Sequence, residues 1–264
     1  MSLLEDEDKD NRTHNWLLYI GIILFIVLVV GAGWSILNKK IYDSVTLCEE
    51  DVMSATTVLL IDKTGGFSPN QKRVLLRAIE AEIEKLETGK RLTVYEIDDG
   101  LYEGLSKPVF DRCRPKDGSD VNQLVENKYM IEKSFNEDFI SEIQLIIANL
   151  DETIDAKSSP IIESLSDIST LYKIDPHMNV ERLIVISDLL QHSPNISFYK
   201  NDIEGIEIDD ISSFIPDLFG IDVQIYWLQR EKNEQIIQNS GLIYWWERTF
   251  EAATINNLSI MKIR

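Results

Sequence analysis

Two aspartates, Asp62 and Asp188, stand at the ends of short apolar runs, Thr56–Ile61 (TTVLLI) and Leu183–Ile186 (LIVI). Runs of this length and β-branched content are the pattern of buried strands. In a parallel sheet ligands collect beyond the carboxyl ends of the strands, so both acids fall where a site would form. Thr64 follows two residues after the first acid, and Ser158-Ser159-Pro160 opens a helical segment. A hard divalent cation takes oxygen ligands, and Mg²⁺ uses one or two carboxylates while keeping several waters. Asp62, Thr64, Ser159 and Asp188 are therefore a candidate half-open site for Mg²⁺, with Mn²⁺ or Ca²⁺ as alternatives. Each feature also has a plainer reading, since Asp after a strand turns the chain and Ser before Pro caps a helix.

The elements that would position these groups alternate between strand and helix. After TTVLLI comes a Gly65-Gly66 turn, then Ser68 as an N-cap with Pro69 in the first turn. Leu75, Ile79, Ile83 and Leu86 line one helical face before Gly89 ends it. Arg91–Ile97 is the next strand, and a long Gly, Pro and Asp-rich loop is expected over Asp98–Asn127. Phe135, Phe139, Ile143, Ile146 and Leu150 mark a second helix, and a third runs from near Pro160 to Tyr172. After LIVI, a loop carries Asp209 and Asp210. Asp222–Leu228 is a strand, Trp245–Ala253 a helix and Leu258–Ile263 a last strand. Such alternation predicts an α/β fold, with a mainly parallel sheet covered by helices on both faces.

One segment does not belong to that pattern. Trp16–Leu37 carries no charge over 22 residues, and at 1.5 Å per residue it spans roughly 33 Å, near the thickness of a bilayer core. Trp16, Tyr19, Trp34 and Tyr42 sit near its ends, where amphipathic rings prefer the interface. The expected organisation is an acidic tail (1–15), a transmembrane helix (16–37), a linker (38–55) and a folded domain (56–264). Lys9 and Arg12 on one flank balance Lys39 and Lys40 on the other, so charge does not orient the anchor. Cys48 and Cys113 are either a disulfide of an exported domain or two reduced thiols of a cytosolic one. The paired reading places the domain on the outer side. The net charge of −19, with no basic patch along the chain, argues against nucleic-acid binding.

Three segments, taken together, resemble the von Willebrand factor A (vWA) domain. Asp62-Lys63-Thr64-Gly65-Gly66 is similar to its Asp-x-Ser-x-Ser motif, and Ser159-Pro160-Ile161-Ile162-Glu163-Ser164-Leu165 to its Thr-Pro-Leu-x-Glu-Ala-Leu segment. Ile184-Val185-Ile186-Ser187-Asp188 is similar to its Val-x-x-Ser-Asp-Gly strand end, and the order of the three is the family's. The segments Cys113-x-Pro115-x-Asp117-Gly118-Ser119-Asp120 and Ser187–Ser193 are similar to those of uncharacterised, membrane-anchored bacterial vWA-like proteins. The resemblance implies a Rossmann-like fold over Thr56–Arg264 and protein binding rather than catalysis. It also implies a metal-ion-dependent adhesion site on Asp62, Thr64, Ser159 and Asp188, whose ion accepts an acidic side chain of a partner. Gly66 replaces that motif's second Ser, and Leu189 replaces the Gly after its second acid.

Two other readings compete. Asp62-x-Thr64 also resembles the first motif of haloacid-dehalogenase-type phosphatases, but Thr64 stands where a second acid would serve as proton donor, and a hydroxyl does not do that work at neutral pH. His14, His177 and His192 form no nucleophile–base arrangement, although His192 lies four residues past Asp188; no Gly-x-Ser-x-Gly or phosphate-binding Gly-x-x-x-x-Gly-Lys run is present. The third reading is a metal-free scaffold of a membrane complex. Its docking surface could be Leu242–Trp246 (LIYWW), although core packing of a C-terminal helix explains that stretch more readily.

Overall fold

The computed structural model describes residues 3–37, 40–97, 107–119, 121, 126–149, 156–200, 203–230 and 233–264. The chain divides into two units between Ile41 and Tyr42.

The first unit is one helix, α1 (Leu3–Leu37). Large apolar side chains from Leu18 to Trp34 are exposed along it, Phe25, Leu28 and Trp34 among them. Counted over described side chains, no helix is long and apolar enough to cross a membrane.

The second unit is built on a six-stranded sheet. Its strands are β1 (Ser54–Asp62), β2 (Arg91–Ile97), β3 (Phe110–Cys113), β4 (Met178–Ser187), β5 (Asp222–Leu228) and β6 (Asn257–Ile263). Their order is β3-β2-β1-β4-β5-β6, with every pair parallel except β2–β3. This is a Rossmann-like arrangement. The chain runs outward from β1 in one direction and from β4 in the other, so the topological switch point lies between the carboxyl ends of these two strands.

Alternation along β1 sends its side chains to two separate cores. Val58 and Leu60 join Ile162, Leu165, Trp245 and Trp246 on one face, where α5 (Ile161–Ile174) and α7 (Ser240–Ala252) pack. Leu59 and Ile61 join Leu75, Ile79, Phe139 and Ile143 on the other, beneath α2 (Pro69–Lys85) and α4 (Ser141–Ala148). α4 continues α3 (Lys128–Ser134) through a π-helical stretch, Phe135–Ile140, and a short α6 (Asn233–Ile237) precedes α7. Ser68 caps α2 as expected. Its hydroxyl accepts from Gln71 N while the Gln71 side chain returns to Ser68 N, a reciprocal box worth about 1 kcal/mol.

Several expectations need correction. α2 ends at Lys85, before Gly89, which instead adopts φ 85° in the turn into β2. The loop expected over Asp98–Asn127 contains the antiparallel edge strand β3; its residues 98–106, 120 and 122–125, like Leu150, lie outside the described residues. Asp209 and Asp210 open a 3-10 turn, Asp209–Phe214. Ser159 does not cap α5: Pro160 occupies that position without a side-chain bond, and Gln191 Oε1 accepts from Ile162 N instead. Leu242, Trp245 and Trp246 are core residues, leaving only Tyr244 of that aromatic stretch strongly exposed. The paired reading of the cysteines, by contrast, holds: Cys48 and Cys113 are joined in a disulfide.

Candidate functional site

Asp62 is the last residue of β1 and is completely buried. The parallel register pairs Ile61 with Ile186, which brings Ser187 beside it. Both carboxylate oxygens are engaged. Oδ1 accepts from the hydroxyl of Thr64 (2.5 Å) and its backbone amide (3.0 Å), while Oδ2 accepts from Ser187 Oγ (2.7 Å) and Ser159 Oγ (3.2 Å). Burial raises the Asp62 pKa above the ordinary carboxylate value, and the nearby charge of Asp188 raises it further; the bonds from Thr64 and Ser187 only partly offset them. The sheet thus brings all four expected residues to the switch point, with Asp62 at the centre.

Asp188 leaves β4 on a tightly held turn. Trp227 Nε1 and Gln238 Nε2 donate to its carbonyl, Trp246 Nε1 donates to Leu189 O, and Leu190 N donates to Asp188 Oδ1 (2.9 Å). Leu189 takes φ 64°, a left-handed conformation that costs an ordinary residue about 1–2 kcal/mol. That is the position where the vWA motif carries Gly. Here the full burial of the Leu189 side chain in the core offsets the backbone cost.

The decisive neighbour is Arg230, two residues past β5. Its Nε donates to Asp188 Oδ2 (2.7 Å), and its Nη1 donates to the carbonyls of Gly65 (2.7 Å) and Gly66 (2.5 Å). Only 9% of its side chain and 7% of that of Asp188 are exposed, so the pair is a buried one. Burial works against the guanidinium charge, but Asp188 and, beyond it, Asp62 more than offset this and hold its pKa above the usual value. The Gly65-Gly66 turn explains how a guanidinium fits there. A Cβ on Gly65 would collide with Arg230 Nη2, and Gly66 needs its φ of 67° to present its carbonyl.

This arrangement bears on the implied metal. Asp62 accepts four hydrogen bonds, and both oxygens of Asp188 are taken by Leu190 N and Arg230, while the Thr64 and Ser159 hydroxyls donate to Asp62 and keep their lone pairs. Among the described residues no group of three or more His, Cys, Asp or Glu is placed to hold an ion. The unpartnered polar atom at the clasp is a cationic donor, Arg230 Nη2. A divalent ion would meet a fixed positive charge and compete with it for Asp188, so the donor set does not fit a resident metal while Arg230 holds its place.

Reading the residues in order missed Ser187 and Arg230. Ser187 was legible as the residue before Asp188 at a strand end. Arg230 had only a faint signal, a cation just beyond a strand whose neighbour in the sheet ends at Asp188. His192 plays a structural part: its backbone pairs with that of Ser159, and its ring Nδ1 meets Ser197 Oγ at 2.8 Å.

No protein-family model matches the chain, and no curated protein does. Solved structures to which the chain is similar include the following three. An aerotolerance-related membrane protein from Bacteroides fragilis is 11% identical, with a TM-score of 0.40, covering 79% of this chain and 92% of that one. The conserved hypothetical protein BatB from Bacteroides thetaiotaomicron is 12% identical, with a TM-score of 0.38 and coverage of 80% and 92%. The pilus adhesin SpaC from Lactobacillus rhamnosus GG, in an open conformation, is 13% identical at a TM-score of 0.38, covering 77% of this chain and 30% of SpaC. At these scores the likenesses transfer no function.

Proposed function

We propose that the domain Tyr42–Arg264 is a vWA-like protein-binding module, anchored to a membrane through Trp16–Leu37, and not an enzyme. The observation that carries the reading is the convergence of Asp62, Thr64, Ser159 and Asp188 at the switch point, in the chain order of the vWA motifs. Burial of Asp62 and the four hydrogen bonds its oxygens accept weigh against a nucleophile role. The exposed apolar side chains of α1 support the anchor. The Cys48–Cys113 bond supports an outer-side domain, since such bonds persist in oxidising compartments.

The test is photo-crosslinking in native membranes from probes placed at Phe67, near the site, and at the exposed Tyr129 of α3. A discrete protein adduct from Phe67 and none from Tyr129 is expected; adducts from neither position overturn the reading. Alkaline extraction of the full chain and of a form lacking residues 1–41 tests the anchor, and protease accessibility in sided vesicles tests the orientation.

A second reading keeps the ion. The two acids and two hydroxyls would hold Mg²⁺, or Mn²⁺ or Ca²⁺, once Arg230 releases Asp188, and the ion would supply a Lewis-acidic position for a partner carboxylate. Calorimetric titration of Mg²⁺ decides it. Saturable binding by the wild type that Asp188→Ala abolishes is the expected result of that reading, and no binding leaves the guanidinium as the site's cation.

A further inference from the structure

Beside the clasp lies an open groove of about 720 Å³, bounded by Gly65 and Phe67 on one side and by Gln229, Arg230, Lys262 and Arg264 on the other. Three cations line it, and no Asp or Glu does among the described residues, on a chain whose net charge is −19. Two of its lining side chains carry donors that are shut from solvent and have no hydrogen-bond partner, Arg230 Nη2 and Gln229 Nε2. Its other buried amides are already spent: Gln71 Nε2 donates to Gln229 O, and Gln238 Nε2 to the carbonyls of Asp188 and Leu228. Buried donors are rarely left unpaired, so this wall lacks an acceptor that the described residues do not supply. Arg230 is also fixed by Asp188 and two carbonyls, which leaves little side-chain freedom to be lost on binding.

We propose that this groove binds a carboxylate side chain from an acidic segment of a protein partner, without a metal ion. Arg230 and Gln229 are its donors, and Lys262 and Arg264 form a cationic rim. The inference rests on the protein-binding reading and gives that reading a ligand chemistry. A carboxylate accepts from a guanidinium and an amide together, and an extended acidic segment places further acids along the rim. A long polyanion such as nucleic acid suits the site poorly, because the acidic remainder of the domain repels it.

The test uses the full chain in detergent with a labelled hexaglutamate peptide, followed by fluorescence anisotropy in EDTA. Saturable binding is expected, weakening as salt rises. Lys262→Glu should reduce affinity roughly tenfold, since like charge at a rim opposes association. Lys262 is exposed but its ammonium lies 4.6 Å from the centre of the Trp227 ring, so the melting temperature is measured alongside, and Lys262→Gln, which removes the charge without reversing it, should give a smaller loss of affinity. Gln229→Leu should weaken binding without changing its salt dependence. Absence of saturable binding, or affinity indifferent to Lys262→Glu, overturns the proposal. Binding that requires Mg²⁺ overturns it in favour of the ion reading. Inorganic phosphate that displaces the peptide more effectively than glutamate does assigns the groove to a free anion instead. Crosslinking from Phe67 with no hexaglutamate binding leaves the protein-binding reading standing and removes only this ligand.

Discussion

Two arginine–aspartate knots, each around a largely buried arginine, stand at opposite ends of the sheet, and they are built differently. At the amino end of β2, Arg91 donates from Nε and Nη2 to both oxygens of Asp111 and from Nη1 to Asp175 Oδ2. All three nitrogens have carboxylate partners, and its pKa is raised mainly by the Asp111 bonds. At the carboxyl ends of β1 and β4, Arg230 has one carboxylate, two carbonyls and one unpartnered nitrogen, beside a second acid held partly against ionisation. The first knot is closed and locks the β2–β3 edge, where Arg91 stands opposite Cys113 in register. The second is left incomplete at the switch point. The difference teaches that a buried charge cluster marks a site by what it leaves unsatisfied, since both clusters are equally rich in charge.

Substitutions at the two ends should separate them. The largest loss is expected at the closed end from reducing the Cys48–Cys113 bond: a closed loop with a sequence separation of 65 residues corresponds to about 4 kcal/mol in the chain-entropy account. Urea titration with and without reductant measures it. Arg230→Leu comes next, at about 3 kcal/mol, because Asp188 is left unpaired where water hardly reaches. Added Mg²⁺ should recover part of this loss, whereas none is recovered in EDTA. Arg91→Leu should cost less, about 2 kcal/mol, with no recovery by the ion, because Asp111 and Asp175 are 21% and 33% exposed and rehydrate. Equal losses in both variants, each indifferent to Mg²⁺, would erase the distinction.

The smallest effect concerns protons. The Asp62 pKa is raised on folding, so the folded state binds more protons than the unfolded one as pH climbs above 3.8. Stability from this group is therefore full below that value and falls as pH rises towards the folded pKa. Asp62→Asn should flatten that decline, because the amide has no titrating proton. Melting curves across the acid-to-neutral range test the sign; a variant that loses stability with pH as steeply as the wild type contradicts it.

Much of this architecture was legible in the residues. β2 and β5 run from Arg91 to Ile97 and from Asp222 to Leu228, as their β-branched and aromatic runs predict. Pro69 and Ser68 announce α2 because capping is a local interaction. β3 escaped notice because FDRC is a short edge strand without an apolar run, and its pairing with β2 is written in tertiary contacts. Asp62, Thr64, Ser159 and Asp188 could be placed together because parallel strands deliver their ends to one side. Arg230 could not, since a lone cation after a strand has no periodicity, and only the folded turn at Gly65-Gly66 gives it carbonyls to grasp. The plainer reading of Ser159 as a cap fails because Gln191, which accepts from the helix instead, arrives from a distant loop.

The disulfide has a mechanical consequence. Cys48 lies shortly after the boundary between the two units, and its bond ties that entry point to β3 on the far edge of the sheet. Tension applied through the amino-terminal helix would pass across the sulfurs, leaving the intervening chain unstretched. β1, α2 and β2 lie inside that bypass, so a pull that ruptures the rest of the domain would leave roughly 220 Å of contour length hidden until the bond is reduced.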